Sequence, residues 1–134
     1  MPPRADDVDG IHDDCRLIRV LVKASWLQLD KNSGNLRPTS DSIQDGNSEA
    51  SFFIEGEVHI EEIQGLFPGR RLVIIPAAIL REAGFWIERR PDEAPDNLSC
   101  GEAHVVVGPP REIPRNVYIR ACRLVVKNPA VVII

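Results

Sequence analysis

The stretch that most constrains the fold runs from residue 71 to residue 108. It begins with the apolar run Leu72–Ile75 and closes with the run His104–Val107. Between these runs lies a segment with Pro76 at its start and Gly84 near its end. Proline suits the first turn of a helix because its missing N–H has no partner there, and glycine suits a helix end. The stretch therefore predicts strand, short helix, strand, loop and strand, which is typical of a domain core.

The remainder of the chain adds strands before this stretch and a helix after it. Alternating apolar residues predict one long or two short strands over residues 16–29 and another over residues 50–54. The sequence as a whole predicts an α+β domain with a small mixed, mostly antiparallel sheet and two or three packed helices. The other expected elements are a short helix over 58–66, a last helix over 113–126 with Pro114 in its first turn, and a final edge strand over 131–134.

Composition and charge limit the class of protein. The chain has 134 residues, 43% hydrophobic and 27% charged, which is ordinary for one globular domain. A net charge of -4 argues against a general nucleic-acid coat but leaves room for a local basic face. Three cysteines without regular spacing favour a reducing compartment, and neither end carries an apolar segment long enough to span a bilayer. We therefore expect a cytoplasmic protein with no membrane attachment and no cofactor.

The first fourteen residues form the most acidic part of the chain. Their carboxylates repel one another, and the segment offers little apolar surface to bury. We therefore predict an acidic disordered tail over residues 1–14 and a single domain over residues 15–134. The acids of this segment are Asp6, Asp7, Asp9, Asp13 and Asp14.

Two short motifs contain the donors of a zinc site. His12 and Cys15 form one pair, and Cys100 and His104 form the other. The first pair lies in the acidic tail and the second has its histidine entering a valine strand, so the spacing does not favour zinc. We expect no metal, and we expect His104 to bond a backbone carbonyl at the start of its strand.

Catalytic motifs are weak in this sequence. Ser40, His104 and an acid such as Asp45 could meet in space, because a catalytic triad is defined by geometry rather than by sequence order. The chain has no Gly-x-Ser-x-Gly elbow and no glycine-rich phosphate loop before a helix. A serine, a histidine and an aspartate occur in almost any chain of this length, so the pattern favours binding over catalysis.

A basic stripe follows the last predicted helix. Arg120, Arg123 and Lys127 are three and four residues apart and therefore share one face, while Val117 and Leu124 are assigned to the inward side. No aromatic residue is interleaved for stacking on bases, which argues against a nucleic-acid partner. The stripe is a solvated helix face or a docking surface for an acidic partner or for the acidic tail.

Several segments resemble, in the same order, a family of small bacterial proteins. In this chain they are Arg37-Pro38-Thr39-Ser40 followed by Asp45, Leu80-Arg81-Glu82-Ala83-Gly84, and Ala103-His104-Val105-Val106-Val107-Gly108. The family has an Arg-Pro-Ser-Ser turn followed by Phe and Asp, then a Leu-Arg-Glu-Leu-Gly helix and an Ala-His-x-x-Val-x-Gly strand. Here Thr39 stands in place of the first Ser and Ile43 in place of the Phe. The family has no assigned reaction, so the resemblance implies a bacterial, cytoplasmic protein and no mechanism.

The polar residues that match this pattern are the candidate site. They form either an internal polar network or one shallow pocket that holds an anionic ligand, or a partner's acidic side chain, through an arginine fork. The matched residues are Arg37, Ser40, Asp45, Arg81 and His104.

Taken together, the sequence predicts a non-enzymatic bacterial binding or accessory protein that acts through a protein partner in a multi-gene system. The alternative is a small hydrolase or transferase that uses His104 with Arg37 and Arg81. The apolar edge over residues 131–134 could also pair with a second copy of the chain.

Overall fold

The computed structural model describes residues 10–43, 49–109 and 114–134. Within these ranges the chain forms a six-stranded sheet, a two-stranded sheet and three α-helices, which confirms the predicted α+β fold with a mostly antiparallel sheet. The strands are β1 (Arg16–Leu21), β2 (Leu27–Leu29), β3 (Leu36–Pro38), β4 (Ala50–Ile54), β5 (Arg71–Pro76), β6 (Trp86–Arg89), β7 (His104–Gly108) and β8 (Val132–Ile133). The helices are α1 (Ile60–Leu66), α2 (Ala77–Glu82) and α3 (Arg115–Val126).

The main sheet has the strand order β6-β7-β4-β1-β5-β8, and each neighbouring pair is antiparallel. The longest pairing joins β1 to β5, in a register from Arg16 opposite Pro76 to Leu21 opposite Arg71. The strands of the central stretch are therefore not all neighbours, because β1 and β4 lie between β5 and β7. The separate β2–β3 hairpin forms the second sheet.

Both faces of the main sheet are covered. Successive side chains of a strand point to opposite faces, so Leu17 packs beneath α2 and α3 while Ile18 packs on the side of α1. Phe52 and Phe53 divide in the same way. A sheet that is buried on both faces needs apolar residues at consecutive positions, which explains the continuous apolar run in β5.

The segment from residue 10 to residue 14 lies on the domain, although the charge pattern assigned it to the tail. Ile11 is fully buried among core residues. The carbonyl oxygens of Asp13 and Cys15 accept hydrogen bonds from the backbone N–H groups of Ala78 and Ala77, at 2.9 and 2.8 Å. The first N–H groups of a helix have no partner within the helix, and these two carbonyl oxygens supply partners for the first N–H groups of α2. The buried Ile11 and the contact of Asp13 with α2 hold residues 10–14 on the domain despite the charge of the aspartates; residues 1–9 lie outside the described part of the chain.

Gly108 allows a close contact at the edge of the sheet. It lies opposite Trp86 in the pairing of β6 with β7, and it is buried. A Cβ atom placed on Gly108 would lie 2.6 Å from Cε2 of the Trp86 indole, far inside van der Waals contact. The missing side chain therefore leaves the space that the indole ring occupies.

We expect Gly108→Ala to lower the free energy of unfolding by about 1–3 kcal/mol, because the added methyl group forces Trp86 or the strand to move. Urea denaturation followed by tryptophan fluorescence measures the change. Gly65→Ala is the control, since nothing lies within 4 Å of its Cβ position in α1. That change should stabilise the protein by up to about 1 kcal/mol through helix propensity. An unchanged stability of the Gly108 variant would contradict the steric explanation.

Candidate functional site

The matched residues occur on separate elements of the fold. Arg37 is on β3, Ser40 begins a 3-10 turn over Ser40–Ile43, Arg81 is on α2, and His104 begins β7. Arg37, Arg81 and His104 bind different partners, and none of these contacts joins one of the three to another. The partners are Asp30, Asp13 and the carbonyl oxygen of Arg90, respectively. Asp45 lies outside the described residues.

His104 is an interior residue with a backbone partner. Only 2% of its surface is exposed, and its Nδ1 lies 2.7 Å from the carbonyl oxygen of Arg90. Because a carbonyl oxygen can only accept, Nδ1 carries the proton and donates it. The backbone N–H of Arg90 in turn donates to the carbonyl of His104 at 3.0 Å, and the ring packs 5.5 Å from the ring of Phe53. The imidazole thus joins β7 to the loop that follows β6.

Arg81 joins α2 to the segment before β1. Its side chain is 7% exposed and forms an ion pair with Asp13, whose side chain is 57% exposed. The guanidinium also donates to the backbone carbonyl of Ile11. These contacts favour the internal-network interpretation for Arg81, because they hold the segment that covers the core.

A groove separates the β2–β3 hairpin from the last elements of the chain. Its volume is about 630 Å³, within the range of small-molecule and peptide sites. We call it the hairpin groove. It is lined by Asp30, Gly34, Asn35, Leu36, Arg37 and Pro38 of the hairpin, by Arg71, and by Val126, Lys127, Asn128, Val131, Val132 and Ile133.

The hairpin groove carries more positive than negative charge. Arg37 donates from Nη1 to Asp30 at 3.2 Å, and Nε of Arg71 donates to the carbonyl of Ile134 at 3.0 Å. Hydrogen bonds from the Asn32 N–H, then from the Ser33 hydroxyl and Arg37, hold the pKa of Asp30 below its usual value. Lys127 forms no ion pair within the described residues. Three basic side chains and one side-chain carboxylate therefore line the groove together with apolar residues.

The outer face of α3 differs from the prediction in its apolar residues. Val117 is 41% exposed and Leu124 is 64% exposed, so assigning them to the inward side was wrong. The buried side is formed by Tyr118, Cys122, Val125 and Val126. Tyr118 packs against Phe85 at a ring distance of 6.0 Å, which fixes the rotation of the helix.

The predicted basic residues lie on this outer face. Arg120, Arg123 and Lys127 are exposed, and α3 contains no acidic residue. Val117 and Leu124 are seven residues apart and share a side of the helix next to the cations. We call Val117, Arg120, Arg123, Leu124 and Lys127 the basic docking face.

Arg19 is a buried polar residue that the sequence argument missed. It is 6% exposed, and it donates to the carbonyl oxygens of Ser42 at 2.8 Å and Ser51 at 3.1 Å. Its guanidinium lies 5.1 Å from the ring of Trp26 and 5.9 Å from that of Phe52, in a cation–π arrangement. The available signal was its position in β1, where strand alternation places residue 19 on the same inward face as residue 17.

The described residues contain no group of three or more His, Cys, Asp or Glu side chains placed to bind a metal ion. Within the same ranges, every helix is too short or too polar to cross a bilayer. Comparison with known proteins adds no reference for the site: no family model, curated protein or solved structure matches this chain. The family resemblance therefore stays a prediction.

We expect Arg81→Ala to lower the melting temperature and to reduce the free energy of unfolding by about 1–3 kcal/mol, because the carbonyl of Ile11 and the Asp13 carboxylate lose their partner. Limited proteolysis should cut near residues 10–15 faster than in the native chain. Arg120→Ala is the matched control and should change stability by less than about 0.5 kcal/mol, since Arg120 is exposed. Equal melting temperatures for both variants would return Arg81 to the candidate binding residues.

The three cysteines should differ in reactivity. Burial raises the pKa of the Cys122 thiol to about 12, and the charge of Asp41 acts in the same direction. Cys122 should therefore resist iodoacetamide at pH 8, while the half-buried Cys15 and Cys100 react, because only a thiolate is nucleophilic. Intact-protein mass spectrometry should show two adducts on the folded protein and three after denaturation; three adducts on the folded protein would contradict the burial of Cys122.

The same pKa shift predicts a loss of stability in alkali. The pKa of the Cys122 thiol is higher in the folded chain than its ordinary value of 9.0, so the protonated thiol contributes its full share of the free energy of unfolding below pH 9. It is lost as the pH rises from 9 towards 12. Melting temperatures measured across this interval should fall less steeply for Cys122→Ala than for the native chain, and parallel curves would contradict the linkage.

Proposed function

We propose that this chain is a non-enzymatic binding or accessory protein of the bacterial cytoplasm, and that it docks an acidic segment of a partner protein on the basic docking face. The observation that carries the proposal is Leu124, a leucine 64% exposed beside cations that pair with no carboxylate among the described residues. The three free cysteines suit a reducing compartment. The bacterial origin and the multi-gene context rest on the family resemblance.

The distribution of ion pairs supports an external acidic partner. Elsewhere in the molecule, Arg16 pairs with Glu55 at 2.9 Å, Arg89 with Glu57 at 2.7 Å, and Arg90 with Glu88 at 3.0 Å. No described carboxylate pairs with the cations of α3 or with Lys127. The chain is acidic overall, so this face is a local reversal of charge that attracts carboxylates from outside.

The apolar residues on this face favour a protein over a nucleic acid. Single exposed apolar residues are common, but Val117 and Leu124 lie together beside three cations. Apolar contacts surrounded by charge are the usual composition of a protein interface, whereas a phosphate backbone would leave the leucine without a partner. The aromatic residue of α3, Tyr118, is buried and therefore cannot stack on bases.

The alternative hydrolase or transferase assignment gains no support from the geometry. It depends on His104 acting with Arg37 and Arg81. The imidazole is enclosed, and its Nδ1 is engaged by a backbone carbonyl. A general base must reach the proton that it abstracts, and this environment favours a structural role.

The proposal predicts that one protein co-purifies with the tagged chain from its host at low salt, in near-equal amount. Arg120→Glu, Arg123→Glu and Leu124→Gln together should reduce the recovered partner at least tenfold, because they reverse the charge and remove the apolar contact. Cross-linking mass spectrometry should place the contact in an acidic segment of the partner.

The controls match the variant in exposure and charge. Leu29 on β2 is 64% exposed, as Leu124 is, so Leu29→Gln should leave the partner bound. Lys31→Glu, in the hairpin turn, reverses an exposed charge elsewhere and should also have no effect. Retention of the partner by the α3 variant would exclude the basic docking face. Recovery of nucleic acid with a steep salt dependence would replace the protein partner.

A further inference from the structure

The basic side chains that line the hairpin groove have N–H donors without a partner among the described residues. Arg37 uses Nη1 on Asp30, and Arg71 uses Nε on the carbonyl of Ile134. Within the described ranges the other guanidinium nitrogens of both residues, and the ammonium group of Lys127, bind no other group. The planar fork of N–H groups on a guanidinium matches the two oxygens of a carboxylate.

The hairpin turn fixes the position of Arg37. Asp30 accepts hydrogen bonds from the backbone N–H of Asn32 at 3.1 Å and from the hydroxyl of Ser33 at 3.0 Å. Its carboxylate in turn accepts from Arg37 at 3.2 Å. A side chain that is held in place before binding loses less conformational freedom when a ligand arrives, so this arginine is prepared to bind an anion.

Apolar side chains and one amide complete the lining. Leu36 is 46% exposed, Val132 is 45% exposed, and Val126 lines the same groove. Oδ1 of Asn128 accepts from the N–H of Ala130 at 2.9 Å, so Nδ2 of the same amide can donate to a ligand. Apolar surface with a few polar and charged groups is the usual composition of a small-molecule site.

We infer that the hairpin groove binds a small organic carboxylate, a compact molecule with one carboxylate and an apolar body. Arg37 binds the carboxylate, while Lys127 and Arg71 supply the surrounding positive charge. The apolar body contacts Leu36 and Val132. This site shares only Lys127 with the basic docking face, so the inference stands whether or not α3 docks a partner.

Larger and more highly charged ligands fit the groove less well. β3 and β8 have Cα atoms within 8 Å of each other, whereas an added strand needs about 4.8 Å on each side, so no extended peptide enters between them. The last turn of α3 ends at the groove, and a helix C-terminus carries roughly half a negative charge, which disfavours a dianionic phosphate more than a carboxylate. No aromatic residue is among the described residues of the lining, so a nucleotide base has no stacking partner.

Hexanoate is the probe, titrated into the isotope-labelled full chain at constant ionic strength and followed by NMR. We expect saturable shifts of the backbone amides of Leu36, Lys127 and Asn128. Three comparison ligands separate the contributions: hexanamide removes the charge, acetate removes the apolar body, and hexyl phosphate at pH 8 carries a second charge. Each should bind at least about fivefold more weakly than hexanoate.

Protein variants assign the site. Arg37→Gln should weaken hexanoate binding at least about tenfold, and Arg37→Lys about threefold, because lysine keeps the charge and loses the planar fork. Lys127→Gln should weaken it about threefold and, since Lys127 is exposed, tests the site without risk to the fold. Lys31→Gln and Arg120→Gln are the controls: both residues are exposed and outside the lining, so the affinity should stay unchanged.

Several outcomes would overturn the inference. One is the absence of saturable shifts up to about 20 mM hexanoate. Equal affinity for hexanamide would exclude recognition of the carboxylate, and tighter binding of hexyl phosphate would assign the groove to an organophosphate. Unchanged affinity in both Arg37→Gln and Lys127→Gln would place the ligand elsewhere. None of these results bears on the partner recovered through α3, because Arg120, Arg123 and Leu124 do not line the groove.

Discussion

The pairing of β1 between β4 and β5 is the interaction on which the rest of the structure depends. Leu17 lies opposite both Ile54 and Ile75, so one strand joins the two halves of the sheet. The same strand carries Arg19, whose guanidinium binds the carbonyls of Ser42 and Ser51 beneath the helices. A buried guanidinium is stable only when hydrogen-bond partners surround it, so β1 also fixes the turn that precedes β4.

The two covered faces of the sheet determine which surfaces of the molecule stay open to solvent. α3 uses Tyr118, Cys122 and Val125 to close one face, and this rotation turns Leu124 and Arg120 outwards. β8 adds to the outer edge of β5 and leaves its own edge beside the hairpin. The basic docking face and the hairpin groove therefore meet at Lys127, which supports a surface-binding role for this end of the molecule.

Local sequence patterns predicted the helices and strands well, but they did not predict which elements contact one another in the fold. The strands over 50–54 and 104–107 follow from apolar runs bounded by turn residues, but the sequence contains no signal that places β1 and β4 between β5 and β7. The buried side of α3 was misassigned at its margin, because one continuous apolar side covers more than half of the helix and Val117 and Leu124 lie at its edge beside the cations. The contact of Arg81 with Asp13 joins residues 68 positions apart, and only the fold brings them together.

The placement of charge on this chain is more informative than its total. An exposed ion pair contributes little to stability. Folding therefore does not explain why Arg90 has carboxylates nearby while Arg123 has none among the described residues. The carboxylates nevertheless pair with cations elsewhere, while α3 and Lys127 have no paired acid among the described residues. Unpaired like charges on one helix repel one another slightly. A cluster that gives folding no benefit and carries exposed apolar residues within it supports the proposal that this face binds a partner.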